Sequence, residues 1–124
     1  MALLTTIRRM NGVAVVYCGG RLVLGEESKS LRLLVKDLLN KSPQIVLDLG
    51  DVTHMDSGGL GALVALYTSA RAAGGDIKLA NLNARLSDLL QITRLATVFE
   101  IFDRAEDAAA AFKKKEIGRS ATAE

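Results

Sequence analysis

The join spelled VLDLGDVTHMDSGGLGALVALY, residues 46–67, constrains this chain more than any other stretch. Ile45-Val46-Leu47 is a short continuous apolar run, the pattern of a strand buried on both faces. A strand from Gln44 to Gly50 is expected, then a link from Asp51 to Asp56. A helix follows from about Ser57 to Ala73, with Leu60, Leu63, Val64 and Tyr67 on one face. Three glycines, Gly58, Gly59 and Gly61, fall near its first turn. Each costs up to ~1 kcal/mol relative to alanine inside a helix. Either something approaches this backbone closely or the chain bends sharply here. A strand buried on both faces needs helices on the sheet, so the fold class is α/β.

The flanking segments agree. Leu3 to Met10 alternates and is rich in β-formers, and Val13 to Cys18 is β-branched and apolar. Asn11-Gly12 between them is a hairpin signal. Gly19-Gly20 is expected to end the second strand, with Arg21 to Gly25 as a link. Glu26 to Asn40 reads as a helix, with Leu31, Leu34, Val35, Leu38 and Leu39 at three-and-four spacing. Ser28 or Ser30 is a candidate cap, and Pro43 is the stop. Beyond the central join, Gly74-Gly75 closes the second helix. Then come a strand from Ile77 to Leu82, a helix from Ala84 to Thr93 with Leu86, Leu89 and Leu90 inward, a strand from Val98 to Phe102, and a helix from Asp103 to about Lys115. A hairpin followed by alternating strands and helices implies a mixed sheet of about five strands, mainly parallel after the hairpin, packed with about four helices. Residues 1–115 are expected to form one domain and 116–124 a flexible polar tail.

Composition narrows the function. Trp is absent and aromatics are 4% of the 124 residues, so base-stacking platforms are not expected. Sixteen basic residues face fourteen acidic ones, and no concentrated basic face predicts direct nucleic-acid binding. Lys113, Lys114 and Lys115 are explained by the end of the last helix, where cations favour the dipole. The single Cys18 suits a reducing compartment. The apolar stretch around Gly61 to Tyr67 is far short of the ~20 residues of a spanning helix, and MALLTTIRR has its apolar patch before its arginines, the reverse of a secretory signal. A cytoplasmic protein that engages no membrane is expected.

The DSGGLG hexapeptide, Asp56 to Gly61, after a VLDLGDV strand resembles the signature of STAS domains of the anti-sigma factor antagonist type. The resemblance extends to VAVVYCGGRLVLGEESKSLRLLV, similar to the family's second strand, glycine turn and first helix. It also takes in LSDLLQITRLATVFEIFDRAEDA, similar to its third helix, last strand and last helix. It therefore runs from about Leu3 to Phe112 and implies the STAS fold. It also implies a function. The serine matching Ser57 accepts a phosphoryl group from an anti-sigma factor that is itself a serine kinase. The unphosphorylated antagonist binds that factor and frees the sigma factor; the phosphorylated form lets go, and a metal-dependent serine phosphatase resets it. Partner contacts are expected at His54, Met55, Asp56, Ser57, Gly58, Gly59, Leu60 and Gly61. The three glycines are expected to let the partner reach the serine. The alternative the resemblance allows is a STAS module without phosphorylation, within a lipid-transport or signalling assembly. Two departures matter. Many relatives carry a second Ser or Thr where this chain has Gly58, and many carry an acid near Val23, whereas the acids here are Glu26 and Glu27.

Apart from the resemblance, Ser57 reads as a helix N-cap, a role Asp56 can fill one residue earlier. Phosphorylation there adds about −1.5 to −2 charge at neutral pH, which a helix N-terminus tolerates. No cofactor is expected: no GxxxxGK occurs, and the third glycine of a dinucleotide fingerprint falls on Val64. His54, the one histidine, with Asp51 and Asp56 is not a metal-ligand pattern. A Ser57–His54–Asp51 triad lacks the G-x-S-x-G elbow of hydrolases. The chain is therefore not expected to be an enzyme, and Ser57 is a substrate rather than a catalyst. Asp48, in a buried-looking strand, either holds a loop amide or ends the strand. Cys18 reads as a small apolar filler.

Overall fold

Asn11 and Gly12 both adopt positive φ, 53° and 83°, the geometry that lets a two-residue turn match the twist of its strands. They join β1 (Leu4–Met10) to β2 (Val13–Leu22), antiparallel, with Met10 opposite Val13. The computed structural model describes residues 3–112. The tail expected at 116–124, the three lysines at 113–115 and the end of the last helix lie outside these residues.

The remaining elements are α1 (Glu26–Leu39), β3 (Gln44–Met55), α2 (Ser57–Ala72), β4 (Asp76–Ala80), α3 (Ala84–Ile92), a 3₁₀ turn (Leu95–Thr97) and β5 (Ile101–Phe102). A helix, α4, follows over residues 105–112. The five strands lie in the order β1-β2-β3-β4-β5, with every pair after the first parallel. The expected α/β architecture is therefore present.

Strand periodicity divides the core in two. Ala14, Val16 and Cys18 of β2 face one way, with Ile45, Leu47 and Leu49 of β3, and pack under α1, α2 and α3. Val13 and Val15 face the other way with Val46 and Ala80, and α4 covers them through Ala105, Ala108, Ala109 and Phe112. Tyr67 of α2 meets Phe99 edge-on at 5.2 Å between centroids, which seats the segment before β5 in the first core.

The structure corrects several boundaries. Gly19-Gly20 does not end β2; pairing shifts register there and the strand continues to Leu22. Glycines inside a strand often mark such bulges rather than an end. Correspondingly, Asp51 to Met55 is not a link. It is paired strand, with Gly19 opposite Asp51 and Leu22 opposite Met55. The last strand does not start at Val98, because the 3₁₀ turn precedes it and only Ile101–Phe102 pairs. Val64 is exposed, not on the inner face of α2, whose buried residues are Gly59, Ala62, Leu63, Leu66 and Ala70. Neither Ser28 nor Ser30 caps α1: Gly25 is the N-cap, and the Ser28 hydroxyl donates to the Gly25 carbonyl at 3.2 Å.

Gly74 closes α2 at φ 85°. A Cβ on Gly75 would stand 2.0 Å from the Pro43 carbonyl oxygen, so only glycine passes there.

Candidate functional site

The extensions of β2 and β3 beyond their bulges build the site. They carry Leu22 and Met55 side by side and deliver residues 22–24 against the first turn of α2. Asp56 stands between the two segments. Its Oδ1 accepts the Gly59 amide of α2 at 3.0 Å, and both carboxylate oxygens accept the Leu24 amide, at 3.0 and 3.2 Å. It is thus the N-cap of α2 and a staple to the β2–α1 link. The Gly59 amide foremost, and then that of Leu24, hold its carboxyl below the usual carboxylate range.

Asp56, not Ser57, therefore caps the helix. Ser57 is the first residue of α2 and exposed, and among the described residues no hydrogen bond holds its hydroxyl. The nucleophilic oxygen of the candidate phosphosite is spared the structural task beside it. A phosphoryl group there would stand at a helix N-terminus, which favours an anion, and next to a carboxylate already engaged by two amides.

The three glycines divide. A Cβ on Gly59 would stand 2.1 Å from the Leu22 carbonyl oxygen, and one on Gly58 would stand 2.5 Å from the Leu24 Cβ. The body that approaches this backbone closely is the chain's own β2–α1 link. Gly61 is different: it is exposed, and a Cβ there would meet nothing within 4 Å.

The expected contact residues gather around this turn. His54, Asp56, Ser57 and Gly61 are exposed, Met55, Gly58 and Leu60 half-buried, and Gly59 buried. Beside them lies a shallow basin of about 290 Å³ lined by Arg21, Val23, His54, Met55, Asp56 and Arg85. Arg21 arrives from the β2 extension opposite His54, and Arg85 from the first turn of α3. Neither arginine is singled out by the sequence. Arg21 lies in what reads as a link, and nothing local ties Arg85 to a turn nearly thirty positions away.

The other chemical readings find no support in the geometry. His54 Nδ1 lies 3.0 Å from the Thr53 hydroxyl oxygen, and no hydrogen bond joins it to Ser57 or Asp51 among the described residues. No cluster of metal-ligating side chains occurs among them. Asp48 does not end its strand: its Oδ1 accepts the Gly50 N–H two residues on in β3 at 3.0 Å, and it holds the loop after β4 through the Asn81 side-chain amide at 3.3 Å. Burial, and secondarily the Asp48 carboxylate, push the Cys18 thiol up to about 12, so it is a core filler without thiolate character at neutral pH. No described helix is long and apolar enough to cross a membrane.

Comparison with known proteins agrees with this fold. The STAS domain model matches residues 5–108. The chain belongs to the STAS domain family. This STAS domain is 36% identical over 76 residues to the anti-sigma-B factor antagonist of Bacillus subtilis, an alignment covering 61% of this chain and 70% of the relative. Its fold is shared with an anti-sigma factor antagonist from Mycobacterium paratuberculosis, at TM-score 0.76 and 22% identity over 89% of this chain and 93% of the other. The Bacillus cell fate determinant SpoIIAA, solved in its phosphorylated form, superposes at TM-score 0.69 and 16% identity, covering 88% of this chain and 99% of that one.

Proposed function

We propose that this STAS domain is an anti-sigma factor antagonist whose hold on a serine-kinase anti-sigma factor is switched off by phosphorylation of Ser57. The observation that carries the reading is the division of labour at the start of α2. Asp56 makes the capping bonds, and the adjacent Ser57 hydroxyl is exposed and uncommitted. The identity to the Bacillus subtilis antagonist supports the partner class. A fold neighbour solved in a phosphorylated form is consistent with a modification the fold tolerates.

In this reading the docking surface runs from His54 to Gly61. The exposed residues make contact, while Gly58 and Gly59 shape the turn by letting it lie against residues 22–24. Gly61 offers backbone without a side chain in the way. Adding a dianion beside Asp56 leaves the domain folded and places the penalty on the complex, where like-charge juxtaposition costs several kcal/mol, roughly. A serine phosphatase restores the binding form, and the setting is the cytoplasm.

Incubation with the cognate kinase and ATP should add one phosphate to the protein. Peptide mapping should place it on Ser57, and Ser57→Ala should remain unmodified. A complex that forms with the true partner but never transfers phosphate would leave a STAS interaction module of the transport or signalling kind.

A further inference from the structure

A groove of about 480 Å³ runs between α1 and α2 and is lined at one end by Leu24 and Gly25. Its apolar lining comes from Leu24, Leu33 and Ala65, over the buried Leu66. Leu24 and Leu33 are 76% and 60% exposed, unusual for large side chains that line one depression together. One wall carries Lys29, Arg32 and Lys36, and no acidic residue lines the groove. Their three-and-four spacing puts the cations on one face of α1 in a row about 10 Å long. Among the described residues none of the three is in an ion pair.

We infer that the α1–α2 groove docks an acidic amphipathic helix of a partner protein. The row of charge decides the occupant. A helix laid along the groove presents apolar anchors at three-and-four spacing, and carboxylates at the same spacing meet the cations one per turn. A single-headed amphiphile matches one cation and leaves two opposite hydrocarbon or water. A second copy pairing groove to groove sets like charges against each other. The chain's own residues 113–124 carry four cations against two acids and have the wrong sign. The inference does not depend on phosphorylation at Ser57, which is no part of this groove.

The test is an NMR titration of the isotope-labelled full chain with three probes. These are a leucine–glutamate amphipathic peptide of ~15 residues, long enough for some helix, the same peptide with lysine for glutamate, and oleate. The acidic peptide should shift the amides of Leu24, Arg32, Leu33, Lys36 and Ser69, and the basic peptide should not. The double variant Arg32→Glu/Lys36→Glu, both exposed positions, should lose acidic-peptide affinity by roughly tenfold or more and gain affinity for the basic peptide. An unchanged urea midpoint in that variant separates lost docking from lost folding. Ser57→Asp should bind the acidic peptide as the native chain does, so this inference and the phosphoswitch fail separately. Shifts clustered elsewhere, equal binding of both peptides, or oleate filling a groove the acidic peptide ignores would each overturn it.

Discussion

Asp56 and Ser57 show how two adjacent polar residues at one helix start take different work. Asp56 is bound by the amides of Gly59 and Leu24, so Asp56→Ala should lower the urea midpoint with little change in the slope. Asp56→Asn, which keeps an accepting oxygen, should lower it less. The pH dependence follows from the sign of the shift. The folded carboxyl is held below its usual value, so the folded state binds the proton more weakly than the unfolded one. The resulting stabilisation is present above the unfolded pKa of ~3.9 and is lost as pH falls through the lower folded value. The difference in urea midpoint between native chain and Asp56→Asn should therefore shrink below about pH 4. Both residues are legible in the sequence, because a helix start needs a cap and DSGGLG offers two in succession. Leu24, the other end of the staple, was not, since a backbone amide thirty-two positions away leaves no local mark.

The glycines of α2 separate fold from function at the scale of the element. Gly59→Ala pushes a methyl to within 2.1 Å of the Leu22 carbonyl oxygen. Overpacking of this kind costs ~1–3 kcal/mol, and the loss should appear in urea unfolding. Gly61→Ala adds a methyl in open space and should stabilise the domain by up to ~1 kcal/mol through helix propensity. Under the proposed function, a larger side chain at 61 should nevertheless weaken partner binding, so Gly61→Leu gives a folded protein with reduced affinity in calorimetry. The glycines in the sequence leave a close approach or a sharp bend open. That the chain's own link is what approaches Gly58 and Gly59 is not legible, because β2 reads as ending at its two glycines and the link beyond it is hidden. The same misreading turned the paired stretch Asp51–Met55 into a loop. Apolar periodicity reports burial, and these strand ends are exposed on one side and carry no clean pattern.

Across the whole molecule, the order of strands and helices was legible because each crossover helix carries its own period, and α1 and α2 also carry a stop at Pro43 and at Gly74-Gly75. What ties the second core together was not. Lys78 of β4 is 1% exposed, pairs with Glu100 and with Asp76 at 3.5 Å, and lies 4.6 Å from the Phe112 ring centroid. It fastens β4 to the segment before β5 and to α4. Replacing the whole set, Lys78→Met with Asp76→Asn and Glu100→Gln, should change stability by less than ~1 kcal/mol, since buried ion pairs are often neutral against uncharged replacements of similar size. Asp76→Asn with Glu100→Gln leaves the ammonium without carboxylates and should cost more, ~1–3 kcal/mol, below a wholly buried pair because Glu100 is half open to solvent. None of these substitutions lies in the turn that carries Ser57, so partner binding should survive them. Under the proposed function, phosphate at Ser57 breaks a complex without breaking the fold. This is tested most directly by calorimetric titration of the cognate anti-sigma factor with native and Ser57-phosphorylated protein, alongside urea unfolding of both. The expected result is a loss of affinity of roughly a thousandfold, about 4 kcal/mol, with coincident unfolding curves. Equal affinity of the two forms, or a phosphorylated form that unfolds at markedly lower urea, would contradict it.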